Sequence, residues 1–438
     1  MSECTEPRFR VAICGGGIGG LTLALVLARI KDIAVDVYDQ ATDFNIEIGA
    51  GISLQSRNLR FLSTLGLKED VVEISAKHSQ GTMFSVCKAD QGELKVAMET
   101  AGGGGAVSLH RAEFHNILFR HIPEHVGMHH NKRLVSYADP EDGSPIRLDF
   151  ADSSSATCDI LIGADGVKSA VRATLLEGLA ARTGDVQKAE RLRDGIAPRY
   201  SGVTVYRAAM SRDRLAQVGI AADGTVWTYA AKIYTGNNLA LVIYPISQGL
   251  KLNVALYNID FSQDGTFHPQ PWVTEMKGDE LIHRLDGWAE EPRKIVAGFN
   301  GMEAKKWVVN VLYPLEEWSS GRVTLLGDAA HAMTSFQGAG AGQAMEDALV
   351  LSTLFKDPRV TRETVHHAFR AYADVRRPVA KAFYEASRRN GELLSDASLS
   401  PGELASEFGK AIMAIWGSPE PENDAQQALE QFEKAIAA

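Results

Sequence analysis

An alternation of apolar strands and helices opens the chain. Residues 9–14 form a short, mostly apolar run that predicts a strand, and five of the six residues that follow are glycines. Leucine and alanine dominate residues 21–30, which predicts a helix, and residues 34–38 predict a second strand. A strand, a helix and a strand of this length fit a right-handed crossover between parallel strands. We therefore expect the chain to begin with an α/β layer.

The same alternation continues over the next hundred residues. Apolar spacing predicts helices at 52–67 and after Arg111, and the turn residues between 134–138 and 146–150 predict a hairpin. Residues 159–163 have the composition of another buried strand.

A different pattern follows, in which β-branched and aromatic runs are separated by turn residues. These runs are 202–210, 225–233, 239–246 and 251–257. They predict a largely antiparallel sheet that forms a separate layer. After it the first pattern returns, with a strand at 322–326, a glycine-rich helix start near Gln337 and a helix over 362–394.

The length of 438 residues is about three times the ~150-residue domain prior. We expect an α/β unit in two parts, 1–185 and 283–358, the first with an excursion near 80–100 into the neighbouring sheet unit. The sheet unit itself is expected at 186–282, and a helical region at 359–438.

Charge and composition exclude several classes of protein. The chain has 45 Lys and Arg against 55 Asp and Glu, a formal net charge of −10, whereas binding to nucleic acid needs a supply of cations. The longest apolar stretch, residues 21–30, is shorter than the ~20 residues that span a bilayer, so no transmembrane segment is expected. The N-terminus has no apolar signal core.

Cysteine and histidine spacing gives no sign of a metal site. The four cysteines are scattered, without a CxxC pair, and are expected to be free thiols in a reducing, cytoplasmic compartment. The paired histidines are adjacent in sequence, so their side chains diverge on either a helix or a strand and make poor joint ligands. The residues concerned are Cys4, Cys14, Cys87, Cys158, His129, His130, His366 and His367.

The first candidate site is the glycine turn. Gly15, Gly17 and Gly20 have the spacing GxGxxG between a strand and a helix, and Asp39 ends the next strand. In a dinucleotide-binding turn such glycines permit a tight turn and a close approach of the pyrophosphate, the helix N-terminus supplies N–H donors, and the acid binds ribose hydroxyls. The alternative is a glycine-rich turn that binds nothing.

Two further segments carry a family resemblance. Residues 159–172 (DILIGADGVKSAVR) resemble the DG motif of class A FAD-dependent aromatic monooxygenases, and residues 327–332 (GDAAHA) resemble their GD motif. With the glycine turn, and with residues 338–348 and 372–378 in support, the chain resembles the salicylate hydroxylase-like branch of that family. The resemblance implies a Rossmann-like FAD-binding domain interrupted by a β-sheet substrate domain, with a helical C-terminal region.

The resemblance also implies which residues contact FAD. Asp165 belongs to the DG motif, and Asp328, just past a strand, can accept hydrogen bonds from ribityl or ribose hydroxyls. Gly340 and Ala341 open a helix whose N-terminal dipole would face the flavin edge that becomes anionic on reduction. Two further contacts are implied: Arg111, which could otherwise form a surface salt bridge, and Gly51, in a loop (Gly49-Ala50-Gly51-Ile52) that approaches the flavin ring. His331 of the GD motif is expected to be structural; the alternative is a general base.

The implied activity is hydroxylation of a phenolic or aromatic-acid substrate with NAD(P)H and O₂, through a flavin C4a-hydroperoxide. Alternatives within the family are epoxidation, dearomatisation and decarboxylating hydroxylation. A different class is a non-catalytic binding protein that keeps the FAD fold. The expected partners are a small aromatic substrate and O₂, and an oligomer is compatible with the sequence.

On the substrate side, strand alternation puts Arg207 on one face with Val203 and Val205. An arginine there needs a partner, which is either an anionic substrate or a structural ion pair. Tyr244 matches a family Tyr-Pro and could donate to a substrate oxygen; otherwise it is a buried tyrosine with its own partner. Arg207 and Tyr244 are the predicted catalytic pair.

Two departures from the family pattern bear on the substrate. The segment after the GD motif reads Met333-Thr334-Ser335-Phe336, where relatives often have Thr-Pro followed by His or Phe. Ala240 stands where many relatives have a histidine. Both departures favour an aromatic substrate other than salicylate.

Overall fold

The computed structural model describes residues 6–42, 51–76, 83–101, 106–416 and 420–438. Its strands are β1 Phe9–Cys14, β2 Ile33–Tyr38, β3 Gly51–Leu54, β4 Met83–Lys88, β5 Lys95–Ala101, β6 Val107–His110, β7 Gly127–His129, β8 Leu134–Ala138, β9 Ile146–Phe150, β10 Ser155–Cys158, β11 Ile160–Gly163, β12 Arg199–Ser211, β13 Ala231–Gly236, β14 Leu239–Ile246, β15 Lys251–Ile259, β16 Val273–Lys277, β17 Glu303–Val311, β18 Ser319–Ser320 and β19 Val323–Leu325. Its helices are α1 Ile18–Leu27, α2 Ser56–Thr64, α3 Lys68–Ile74, α4 Arg111–Arg120, α5 Ala170–Arg182, α6 Val186–Asp194, α7 Arg212–Gln217, α8 Glu290–Ala297, α9 Asp328–His331, α10 Gly340–Phe355, α11 Val365–Ser395, α12 Pro401–Trp416 and α13 Pro421–Ala437.

The first layer is a six-stranded sheet in the order β18-β19-β11-β1-β2-β7. β1 lies inside it and pairs in parallel with both β2 and β11, so that Val11 stands between Val35 and Ile160. These strands are mostly apolar, as expected where both faces of a parallel sheet are covered. The crossover predicted from the first forty residues is confirmed, with α1 connecting β1 to β2.

Helix α1 packs closely against α10. A Cβ atom on Gly19 would lie 2.6 Å from Leu326 Cδ2 and 3.0 Å from Ala344 Cβ, so glycine is what allows this approach. The contact brings the N-terminal half of the first α/β part against a helix more than three hundred residues later.

The second layer is an eight-stranded sheet in the order β16-β17-β12-β15-β14-β13-β4-β5. It is antiparallel except between β13 and β4. Most of it comes from the range expected for the sheet unit, but β4 and β5 come from earlier in the chain and β17 from later. Residues 83–101 therefore join this sheet, at its edge.

Two local predictions differ from the structure. Within 52–67 the chain first forms β3, which pairs with β6, and the helix starts only at Ser56, where Gln55 and Asn58 form a reciprocal cap. Within 225–233 the first residues form a 3₁₀ turn, held by a hydrogen bond from Trp227 Nε1 to the Ala221 carbonyl at 3.1 Å. In both cases apolar periodicity alone does not show where one element ends and the next begins.

Helix α11 is 31 residues long and packs against both layers. It contacts β18 and β19 of the first sheet and β13 and β14 of the second. One face of the eight-stranded sheet packs on α8, and the opposite face packs on α11, α12 and Phe336. That second face also carries Arg207.

Candidate active site

The glycine turn after β1 contains two glycines that the fold requires, Gly15 and Gly20, and one that it does not require, Gly17. Gly15 has φ +112°, and a Cβ there would lie 2.1 Å from the Ala164 carbonyl oxygen. A Cβ on Gly20 would lie 1.9 Å from the Gly15 carbonyl oxygen. A Cβ on Gly17 would meet no atom within 4 Å. Gly17 therefore borders open space, where a ligand can lie directly against the backbone.

Two helix N-termini begin without side-chain caps. Gly17 precedes α1 and Ala339 precedes α10, and neither supplies a side-chain acceptor. Neither helix has an acidic residue in its first turn. Their first N–H groups, in α10 those of Gly340 and Ala341, are therefore available to an anionic or polar ligand, which the helix dipole would favour.

Asp328 and Arg111 bring opposite charges to the start of α10. Asp328 is exposed within a run of buried residues, and its Oδ1 lies 3.9 Å from where a Gly340 Cβ would stand. Burial lowers the pKa of Arg111, and the nearby Asp328 carboxylate opposes that shift. Among the described residues neither side chain forms a hydrogen bond or ion pair, so both keep their donors and acceptors for a ligand.

Asp39 is positioned by the turn that it faces. Its Oδ2 accepts a hydrogen bond from the Gly16 N–H at 2.6 Å, and its Oδ1 accepts one from the Ala41 N–H at 2.7 Å. Each carboxylate oxygen has a second acceptor site, so the partly buried side chain remains able to bind hydroxyls. Below it His115 Nε2 contacts the Gly16 carbonyl oxygen at 2.7 Å, which fixes the turn from the side of α4.

Asp165 faces the protein itself. It accepts hydrogen bonds from Ser169 Oγ at 2.5 Å and from the Ala170 N–H at 2.7 Å, and so caps α5. Burial raises the pKa of this carboxyl, although those hydrogen bonds oppose the rise. These contacts show that Asp165 stabilises the turn that packs against Gly15. Its direct contact with a cofactor stays a prediction.

Arg172 ties the two family motifs together, a role that sequence reasoning missed. Its Nη1 donates to the Ala329 carbonyl at 3.0 Å, and its Nη2 donates to the Val167 carbonyl at 2.7 Å. Burial lowers its pKa to about 10, in spite of the nearby Asp165. The guanidinium therefore locks the DG turn onto α9.

His331 is part of a buried charge network. Its Nε2 lies 2.7 Å from Asp347 Oδ2, which also accepts the Gly327 N–H at 3.0 Å. Arg376 Nε donates to Asp347 Oδ1 at 2.9 Å. Burial raises the pKa of Asp347, but His331 and Arg376 outweigh it and hold the pKa at about 2. This geometry agrees with the structural role expected for His331.

Arg207 has almost no partner. Its Nη2 donates to the Tyr257 hydroxyl at 3.4 Å, and its Nε is buried without a hydrogen bond. Within the described ranges no carboxylate forms an ion pair with it, so the structural ion pair considered above does not form there. A buried, unpaired guanidinium nitrogen is costly and marks a place for an anionic ligand.

Tyr244 on β14 lies against Gly51 of β3. A Cβ on Gly51 would lie 2.3 Å from Tyr244 Cε2 and 2.5 Å from its hydroxyl, and the Gly51 N–H donates to Asn253 Oδ1 at 3.0 Å. Burial raises the pKa of Tyr244, and Arg207 opposes that rise. The residues Gly49 and Ala50 of the same predicted loop lie outside the described ranges. Asn253 was not predicted, although it is the cross-strand partner of Tyr244.

The segment between α9 and α10 closes the site on the side of the helical region. Ser335 Oγ lies 2.9 Å from the Tyr257 hydroxyl, and the Phe336 ring centroid lies 5.1 Å from that of Tyr257. Strand alternation could have placed Tyr257 on the same face as Arg207, but only if the pairing of β15 with β12 had been known. A separate cavity of about 490 Å³, lined by α5, α6 and residues 312–316, contains none of these side chains.

Comparison with known proteins agrees with this geometry. Residues 8–191 and 268–387 match the family described as FAD binding domain. An FAD-dependent monooxygenase, str9, of Strobilurus tenacellus is 31% identical over 98% of this chain and 99% of its own. A salicylate hydroxylase of Pseudomonas putida is 32% identical over 89% and 86%, and the 6-methylsalicylate 1-monooxygenase atA of Aspergillus terreus is 35% identical over 84% and 79%. A solved salicylate hydroxylase substrate complex covers 97% of this chain and 98% of its own, with a TM-score of 0.81 and 27% identity.

The fold and the comparisons define a flavoprotein monooxygenase of the aromatic hydroxylase type. The chain belongs to the FAD-binding-domain family, and FAD with NAD(P)H as co-substrate is the cofactor system of such enzymes. The open space at Gly17, the uncapped N-termini of α1 and α10, and Arg111 and Asp328, which have no side-chain partner among the described residues, fit FAD. In the described part of the chain no helix is long and apolar enough to cross a membrane.

Proposed function

We propose that this protein hydroxylates a phenol or aromatic acid whose anionic oxygen binds Arg207. The observation that carries the proposal is the buried Arg207 Nε without a partner, on the sheet face that meets the cofactor side of the molecule. A hydrogen bond between a guanidinium and an oxyanion contributes about 1.5–3 kcal/mol, enough to select anionic substrates over neutral ones.

The cofactor contacts follow from the free groups around the turn. Gly15, Gly17 and Gly20 with the N-terminus of α1 would hold the pyrophosphate, and Asp39 would bind ribose hydroxyls. Arg111 and Asp328 would hold the phosphate and ribityl parts, and Gly340 and Ala341 would face the flavin ring. Bound FAD supplies electrons taken from NAD(P)H and the activated oxygen that the aromatic ring attacks.

The side chains of the chain itself orient the ring and exclude water. Arg207 would hold the substrate oxyanion, and the Tyr244 hydroxyl, beside Gly51, would donate a hydrogen bond to it or to a second oxygen. Val205 on β12 and its cross-strand partner Trp307 on β17 lie on the same face and form an apolar wall for the ring. An apolar enclosure keeps water from competing with the aromatic carbon for the activated oxygen.

We further propose that salicylate is not the preferred substrate. Ala240 is fully buried and, as the cross-strand neighbour of Tyr257, places no polar group beside it. Ser335 and Phe336 contact Tyr257 from the other side. The polar groups available to a substrate therefore differ from those expected in a salicylate hydroxylase, and a phenol with another substitution pattern fits the proposal better.

The cellular setting is also part of the proposal. Cys14, Cys87 and Cys158 are buried free thiols, as expected in a reducing compartment, so we place the enzyme in the cytoplasm. No nucleic-acid partner is proposed, because the net charge is −10.

The test is a panel of phenols and aromatic acids given to the FAD-loaded protein. Substrate-stimulated NAD(P)H oxidation, oxygen consumption and product identity are measured together. At least one anionic phenol is expected to give a hydroxylated product with better coupling than salicylate. The proposal is wrong if no aromatic compound stimulates oxidation, and its finer part is wrong if salicylate gives the fastest, fully coupled conversion.

A further inference from the structure

One hydroxyl group connects the candidate substrate anchor to the cofactor side of the site. Tyr257 is 5% exposed, and its hydroxyl accepts from Arg207 Nη2 at 3.4 Å and lies 2.9 Å from Ser335 Oγ. Its ring packs against Phe336. Among the described residues this is the one hydrogen bond made by the Arg207 guanidinium.

The two ends of this bridge belong to different layers. Arg207 lies on β12 of the eight-stranded sheet, whereas Ser335 lies between α9, which begins with Asp328, and α10, which begins with Gly340. The segment that carries Ser335 is itself fixed from behind. Thr334 is hydrogen-bonded to Ser387 of α11 at 2.8 Å.

Strand register places Tyr257 on the sheet face that carries Arg207. On β15 it pairs with Val205 of β12 on one side and with Ala240 of β14 on the other. Both neighbours are apolar, so neither offers Arg207 an acceptor. The Tyr257 hydroxyl is the group of this face that is hydrogen-bonded both to Arg207 and to Ser335.

We propose that Tyr257 is a positioning residue, whose hydroxyl fixes the Arg207 guanidinium relative to Ser335 and thereby sets the distance between the bound substrate ring and the flavin. The inference rests on the proposed function, because it takes Arg207 as the substrate anchor. Small displacements of reacting atoms cost large factors in rate. A loosened anchor therefore lowers the fraction of NAD(P)H oxidation that yields product.

The experiment compares Tyr257→Phe, Ser335→Ala and the double variant with the FAD-loaded wild type. Tyr206→Phe is the matched control, because Tyr206 is also 5% exposed but lies on the opposite face of the same sheet. We expect Tyr257→Phe to raise KM about fivefold, the size of one lost hydrogen bond, and to lower coupling, with FAD content unchanged. Ser335→Ala should lower coupling to a similar extent, and the double variant should be no worse than the more impaired single variant.

A second readout does not require turnover. The dissociation constant of benzoate, used as an anionic probe, is measured from its perturbation of the flavin absorbance. Tyr257→Phe should weaken benzoate about fivefold, and Tyr206→Phe should leave it unchanged. If the wild type binds benzoate but hydroxylates nothing, the proposed function fails while this result still decides the role of Tyr257. Unchanged KM, coupling and benzoate affinity in Tyr257→Phe, or strictly multiplicative effects in the double variant, would overturn the inference.

Discussion

Two arginines of this protein, the fully buried Arg376 and the partly buried Arg207, have opposite surroundings. Arg376 on α11 is fully buried and fully partnered. Its Nε donates to Asp347 at 2.9 Å, its Nη1 to Asp424 at 2.8 Å and its Nη2 to Gln343 Oε1 at 2.7 Å. Among the described residues, Arg207 has one long hydrogen bond, and its buried Nε has none.

The difference distinguishes a buried charge that stabilises the fold from a charge that is available to bind a ligand. Buried polar groups in folded proteins are almost always hydrogen-bonded, and a buried charge survives only when it is paired. Around Arg376 the chain meets this requirement with residues from two other helices, α10 and α13. Around Arg207 it does not, although acidic residues are abundant in the sequence. The missing partner at Arg207 is what a substrate anion would supply.

Asp347→Ala should have the largest effect, because it removes a carboxylate from the hydrogen-bonded network around Arg376. It leaves Arg376 and His331 without their shared carboxylate and frees the Gly327 N–H, so a loss of about 3–5 kcal/mol in the free energy of unfolding is expected. Urea unfolding measures it. Asp374→Ala is the control, since Asp374 pairs with Arg377 on the surface and should cost at most about 1 kcal/mol. Equal losses in the two variants would contradict this interpretation of the network.

Arg207→Ala tests the arginine that forms no ion pair among the described residues. It should lower kcat/KM for an anionic phenol about ten- to hundredfold, while FAD content and melting temperature stay near wild type, because no internal pair is broken. Arg207→Lys should recover part of the loss, since a point charge cannot reproduce the planar fork of the guanidinium. Arg370→Ala, at an exposed position, is the control for removal of a positive charge. An Arg207→Ala variant with unchanged turnover would place the anchor elsewhere.

Lowering the pH should weaken the network around Asp347 and leave the surroundings of Arg207 unchanged. The pKa of Asp347 is about 2 in the folded protein, below its ordinary value. Its stabilising contribution is therefore present above the ordinary aspartate pKa and is lost as the pH falls toward 2. The difference in unfolding free energy between wild type and Asp347→Asn should be on the order of 2 kcal/mol at neutral pH and shrink over that range. A difference that does not change with pH would show that Asp347 carries no such linkage.

Local chemistry could be predicted from the sequence, and long-range pairing could not. The glycine turn, the β1-α1-β2 crossover and the face of β12 that carries Arg207 depend on neighbouring residues, whose spacing is visible in the chain. The contact between Arg207 and Tyr257 depends on the register of two strands fifty residues apart. Apolar alternation in β15 does not specify that register.

The same limit applies to Asp165 and Asp328, whose contacts with the cofactor both stay predictions. Asp165 follows a strand just as Asp328 does, so both were expected to contact the cofactor. Only the fold shows that Ser169 and the N-terminus of α5 occupy the Asp165 carboxylate, whereas Asp328 stays exposed beside Gly340. Which carboxylate is free depends on what packs beside it, and this cannot be deduced from spacing.

Gly17→Ala gives the smallest effect on stability and extends the comparison to the backbone. A Cβ at Gly17 meets no protein atom within 4 Å, and the residue has φ −72°, which alanine adopts freely, so the melting temperature without FAD should change little. The same methyl group would stand where the pyrophosphate is expected, so the dissociation constant for FAD should rise about tenfold or more, equivalent to at least about 1.4 kcal/mol. Gly184→Ala is the matched control, because its Cβ also enters open space, at an exposed turn between α5 and α6. FAD titration followed by flavin fluorescence measures the difference, and equal affinities in the two variants would mean that the open space at Gly17 is not the pyrophosphate site.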